Sequence, residues 1–248
     1  MRYYAIGDLH GRLDLLEKSC QKIFDHVQGK EFSIITLGDY IDRGSNSRGV
    51  IEYLMAHPEI IALKGNHEAI AVQTISCSLN TDWWKGNGGL QTLHSYGQPR
   101  HIQNEMFTSL VPEEHIKWMN TLPLYYETEK QVFVHAGIHD KEAPLEQQQF
   151  DTRPDGALYI IWMLYDPSNH GGWRDKHVVH GHHQFADGPH IWQPSGKGGG
   201  RTDLDTYAWK TGRIVIGVFD DTQGPALEFI EVTDETTGSG PELQSQLV

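Results

Sequence analysis

Three short apolar runs near the start of the chain each end on a glycine, and acids, imidazoles or amides follow each glycine at once. They read YYAIGDLHG at 3–11, SIITLGDYIDRG at 33–44 and IIALKGNHEA at 60–69. Between the first two, Leu13, Leu16, Cys20, Ile23 and Val27 recur at helical spacing, which predicts an amphipathic helix over 13–27. Val50–Ala56 reads as a second helix bounded by Pro58, and 66–76 as a third. Strand, loop and helix in that order, three times over, predict an α/β domain with strands buried between helices.

Downstream, 79–122 reads as mostly helical, with Pro112 in the first turn of a helix over 112–119. Strands are expected at 124–127, 131–135, 177–180, 214–219 and 226–232, with 143–156 and 166–174 irregular. One domain over 1–233 is expected, with 234–248 (DETTGSGPELQSQLV) a disordered tail. Cys20 and Cys77 lie in helical segments and read as buried thiols rather than a disulfide. No window approaches the ~18 apolar residues of a membrane span. The start, MRYYAIGDLHG, carries no basic-then-apolar leader, so a cytoplasmic location is expected. The net charge of −13 argues against nucleic acid as a partner and would repel anionic substrates unless cations sit at the site.

Each early strand ends in a loop of ligand-type residues: Asp8 and His10, then Asp39, Asp42 and Arg43, then Asn66 and His67. Two later strand ends add VFVHAGI, with His135, and VVHGHHQF, with His180, His182 and His183. Sites in open α/β sheets form at the carboxyl ends of strands, and mixed oxygen and imidazole donors suit a first-row divalent metal. Any one motif is common and weak. Their order along one chain is specific.

GDLHG, GDYIDRG, GNHE, VHAG and VVHGH in sequence resemble the calcineurin-like metallophosphoesterases, and within them the small bacterial and phage phosphoprotein phosphatases. WWKGNGGLQTLHSYG, LPLYYETEKQVFVHAGI and RTDLDTYAWKTGRI extend the resemblance to most of 1–232. It implies a four-layer α/β/β/α sandwich with two mixed sheets and a pair of divalent ions, Mn first, with Fe, Zn or Mg as alternatives. By motif, Asp8 and His10 would hold the first ion, Asp39 would bridge, and Asn66, His135 and His182 would hold the second. His67 would be the catalytic acid, Asp42 its orienting partner and Arg43 the phosphate grip. The implied reaction is hydrolysis of phosphoserine, phosphothreonine or phosphotyrosine in proteins, or of small phosphoesters, by direct attack of a metal-activated hydroxide. The alternative is a symmetrical diadenosine tetraphosphate-type hydrolase, and a third is a metal-binding scaffold without catalysis. The DRG after GDYI and Glu68 after GNH favour the phosphatase branch.

The pattern departs from the family at two places. Where the resemblance calls for an arginine after a tryptophan, IIWMLYDP has Leu164, and Arg153, Arg174 and Arg201 are substitutes that otherwise read as surface residues. In HGHHQF, alignment on Gly181 gives His182 the ligand place and Gln184 the place of a further ligand for the first ion. His180 and His183 are left as supports behind the ligands or as cleft wall. SGKGGGR at 195–201 reads as a connector or a flap, and Trp83 and Trp84 as groove lining or as packing.

Overall fold

The computed structural model describes residues 1–193 and 199–234. In the first sheet, β1 (Arg2–Ile6), β2 (Phe32–Thr36) and β3 (Ile61–Ala62) run parallel, and β9 (Arg213–Asp220) and β10 (Gln223–Thr233) extend it antiparallel beyond β1. In the second, β5 (Gln131–Val134), β6 (His177–His180) and β8 (Arg201–Asp203) are parallel neighbours, flanked antiparallel by β4 (Tyr125–Glu127) and β7 (His190–Trp192). Both five-stranded sheets are therefore mixed.

Alternation along the strands builds the layers. Tyr4 and Ile6 of β1 face α1 (Leu13–Val27) and α2 (Ser47–Ala56), together with Ile34, Ile216 and Val218. Tyr3 and Ala5 face the other way and meet Phe133 and Val179 of the second sheet. Val132, Val134 and Val178 turn outward again, onto Leu145 and Ile160 of two one-turn helices, α7 (Leu145–Gln148) and α8 (Tyr159–Trp162). The result is the expected α/β/β/α sandwich. Phe133, fully buried between the sheets against Tyr3, Tyr126 and Phe219, is its central apolar contact. Phe133→Ala should cost about 3–5 kcal/mol, seen as a lower denaturant midpoint at unchanged slope.

The helix over 13–27 has the predicted bounds, and its exit is a left-handed Gln28 followed by Gly29. The remaining helices are α3 (Asn66–Cys77), α4 (Thr81–Trp84), α5 (Leu90–Ser95), α6 (Glu113–Thr121) and α9 (Ala208–Thr211). Several expectations need correction. Within the region 79–122, mostly helical as expected, 97–107 is irregular. Pro112 precedes α6 as its cap, because its fixed φ suits the turn before the helix. Cys20 is buried, but Cys77 is exposed, since it ends α3 on the solvent side. β7 and β8 were not expected, and Arg201, expected on the surface, is 1% exposed in β8. Of the expected tail over 234–248, Asp234 is described and pairs with Arg12 at 2.6 Å, while the rest, and most of the SGKGGGR connector, lie outside the described residues. Among those described, no helix is long and apolar enough to cross a membrane.

Candidate metal centre

All the loops that carry the candidate residues leave the carboxyl ends of parallel strands, so the two sheets deliver them to one place. Asp8 and His10 follow β1. Asp39, Asp42 and Arg43 follow β2, and Asn66 and His67 open the helix after β3. His135 follows β5, and His182 follows β6. The turns are tight. His10, Asp39, Asp42, Arg43 and His182 all have left-handed backbones, with φ between 42° and 71°. Two glycines admit the crossing of loops. A Cβ on Gly38, at φ 102°, would lie 2.6 Å from the Gly65 nitrogen, and one on Gly181 would lie 2.1 Å from Asp8 Oδ1.

Donor atoms converge in two groups, each within 4.8 Å: His10, Asp39 and His67, and Asp39, His135 and His182. Asp39 belongs to both. Its Oδ2 lies 3.6 Å from His10 Nε2, and its Oδ1 lies 3.4 Å from His135 Nε2. Backbone carbonyls fix the imidazole tautomers. His10 Nδ1–H donates to Ile41 at 2.8 Å and His135 Nδ1–H to Leu37 at 2.8 Å, which leaves each Nε2 with its lone pair toward the centre. Asn66 presents its amide oxygen 2.9 Å from His135 Nε2. Two acceptors at that distance suit a cation between them. Turned over, the same amide would donate to Asp39, His135 and His182, which suits the ligand set alone. Asp8 accepts from the His182 N–H at 3.1 Å through Oδ1, while its buried Oδ2 has no partner.

The electrostatics fit cations as well. Burial, then Asp205 and Asp39, hold the Asp8 carboxyl well above its usual range. Carboxylates this close in a dry interior need positive countercharge. Burial pushes His10, His135 and His182 down, so these imidazoles are neutral, the form that binds metal. His67 goes the other way. Burial alone would lower it, but Asp39 and Asp42 outweigh burial and raise it. Asp39 and Asp42 thus favour a second proton on His67, which its Nε2 can take up only when the Arg43 guanidinium donating to it moves away.

His67 is held by Asp42, whose Oδ2 lies 2.5 Å from His67 Nδ1. Asp42 is itself pinned by Trp84 Nε1–H, at 2.9 and 3.0 Å to its two oxygens, and by the Thr92 hydroxyl at 2.6 Å. Arg43 reaches across the site, with Nη1 2.7 Å from His10 Nε2 and Nη2 3.1 Å from His67 Nε2. A cation on His10 would need the same lone pair, so occupation of that site frees the guanidinium fork for an anion. Glu68 braces the β2 loop by accepting from the Asp39, Tyr40 and Gly65 amides at 2.8–2.9 Å.

The structure therefore brings together every residue singled out for the site. It also groups His67, expected to be the acid, with His10 and Asp39 where Asp8 was expected. The two tryptophans divide the roles proposed for them. Trp84 is buried under Asp42, while Trp83 is 38% exposed with its ring 5.8 Å from that of His67. Thr92, Asp205 and Tyr165 were not anticipated. Of these, Asp205 had a signal in the sequence, a second acid in RTDLDT at a strand end.

A family model described as calcineurin-like phosphoesterase matches residues 1–209. The chain is 32% identical over 88 residues to serine/threonine-protein phosphatase 2 of Escherichia coli, covering 35% of this chain and 38% of that one. It is 25% identical over 167 residues to a symmetrical bis(5'-nucleosyl)-tetraphosphatase of Coxiella burnetii, covering 64% and 51%. The matched stretches thus span well under two thirds of these relatives. A protein serine/threonine phosphatase from Saccharomyces cerevisiae shares the fold, with a TM-score of 0.55, 16% identity and coverage of 98% of this chain and 82% of that one. The family match covers β1–β3 of the first sheet and all of the second, and the chain belongs to the calcineurin-like phosphoesterases.

Proposed function

We propose that the protein is a metal-dependent phosphoric ester hydrolase that cleaves phosphomonoesters, with phosphoserine and phosphothreonine in proteins as substrates and phosphotyrosine as a further one. The observation that carries this reading is the His67–Asp42 pair at 2.5 Å, set beside Arg43 and Asp39. A serine or threonine alkoxide is a poor leaving group and departs only with a proton. The structure supplies a buried imidazole raised toward its acid form and fixed in one orientation. Polyphosphate leaves as a stable anion and gains little from such a donor.

Asp8, His10, Asp39, Asn66, His135 and His182 would hold two divalent ions, Mn being the expected metal. When bound, these supply Lewis acidity and a water of lowered pKa. The chain's own residues do the rest. His67 gives its Nε2 proton to the departing oxygen. Asp42 keeps that proton on Nε2 by accepting from Nδ1. Arg43 orients the phosphoryl group through a planar fork that lysine cannot reproduce. Arg43→Lys should forfeit about 1.5–3 kcal/mol, roughly 10- to 150-fold in kcat/KM, mostly as a higher KM in steady-state assays.

The second reading, hydrolysis of dinucleoside polyphosphates, is supported by the longer alignment to the Coxiella burnetii relative. Mn²⁺-supplemented rates on a phosphoserine peptide and on diadenosine tetraphosphate decide between the two. A kcat/KM higher on the tetraphosphate sinks the phosphomonoesterase reading. No turnover on either or on p-nitrophenyl phosphate leaves the non-catalytic scaffold.

A further inference from the structure

The outer face of the second sheet carries a buried cation that the reaction above does not use. Arg201 has no carboxylate within salt-bridge distance among the described residues. Its guanidinium lies between two aromatic faces, 3.2 Å from the Trp192 centroid and 4.5 Å from that of Tyr165. Nε–H donates to the Asn169 carbonyl at 2.9 Å, and Nη1–H donates to His180 Nε2 at 3.1 Å. Guanidinium is only a donor, so His180 must accept at Nε2 and carry its proton on Nδ1. That proton goes to the Gly181 carbonyl at 2.9 Å. The Gly181 N–H in turn donates to the His135 carbonyl at 2.8 Å, and the next residue is His182.

Tyr165 joins the same assembly from above. Its hydroxyl accepts from the Ile138 N–H at 2.8 Å, in the loop that carries His135. Its backbone N–H donates to His183 Nε2 at 3.2 Å, in the loop that carries His182. Tyr165 lies in IIWMLYDP, the segment where the phosphate-binding arginine was expected and Leu164 stands 70% exposed.

We propose that Arg201, His180 and Tyr165 form a clamp that positions His135 and His182 as a pair, and so sets the affinity of the second metal site. This rests on the dinuclear reading above. The three act through the ligands and are positioning residues. The loss of such partners weakens metal binding by roughly 10- to 100-fold. The first site, built on His10 and the β1 loop, meets the clamp only where Asp8 accepts from the His182 N–H at 3.1 Å.

The test is Mn²⁺ titration by calorimetry of the metal-free full chain, alongside Arg201→Met, Arg201→Lys and Tyr165→Phe. The unmodified chain should take up two ions. Arg201→Met and Tyr165→Phe should weaken only the later step, roughly 10- to 100-fold, and Arg201→Lys, which keeps a donor for His180, should recover part of it. Saturating Mn²⁺ should then restore kcat. Should Arg201→Met fail to fold, as judged by circular dichroism, Tyr165→Phe carries the same prediction. Folded variants with an unchanged second step, or with both steps weakened equally, overturn the clamp alone. An unmodified chain that binds fewer than two ions overturns the dinuclear reading and the clamp with it.

Discussion

His67→Gln should lower kcat on a phosphoserine peptide by roughly 10²- to 10⁴-fold, the usual worth of a positioned proton donor. On p-nitrophenyl phosphate the loss should be far smaller, because nitrophenolate departs without a proton. The split between substrates is the diagnostic. A residue that only shaped the cleft would cost both equally, and equal losses would remove His67 from the role of acid. Asp42→Asn should act in the same direction. Asparagine can no longer draw the Nδ1 proton as a charged acceptor, and the support that Asp42 gives the His67 proton is gone. With a lowered His67 pKa, the acid form is lost earlier as pH rises. The alkaline limb of kcat/KM should therefore move to lower pH.

Asp39→Asn should bring bound metal to one ion per chain or fewer and turnover to background. The substitution is nearly isosteric, so packing is not the issue. The two carboxylate oxygens divide between the donor groups, Oδ2 toward His10 and Oδ1 toward His135. An amide offers one oxygen and one N–H₂, which repels a cation, so it can serve at most one side. Elemental analysis after dialysis against Mn²⁺ checks this, and two retained ions would show that Asp39 does not bridge. His67→Gln should keep both ions, which separates the loss of the proton donor from the loss of metal.

Much of this architecture is legible in the sequence because the signals are local. The helix over 13–27 shows its period, and the glycine-ended strands announce where the loops lie. The convergence of Asp8, His10, Asp39, Asn66, His67, His135 and His182 follows once those strands are parallel. The unread parts depend on contacts far apart in the chain. β7 and β8 are three residues each, too short to show a period, and they pair across a Gly-rich connector. Arg201 looks like a surface cation because nothing beside it is apolar. Its burial comes from Trp192 on the neighbouring strand and Tyr165 from another segment. Trp83 and Trp84 are adjacent in sequence, and only the turn of α4 decides that one faces Asp42 and the other the cleft.

The left-handed backbones at His10, Asp39, Asp42, Arg43 and His182 have a consequence for how such a chain could age. Aspartate and histidine are among the residue types found there, so the cost falls most heavily on Arg43, at about 1 kcal/mol or more. Against the margin by which a domain stays folded, about 5–15 kcal/mol, even one or two such costs matter. A lineage released from the need to hydrolyse anything would gain robustness fastest at these five positions. Glycine or asparagine accumulating there, with both sheets unchanged, would be the record of an enzyme turning into a scaffold.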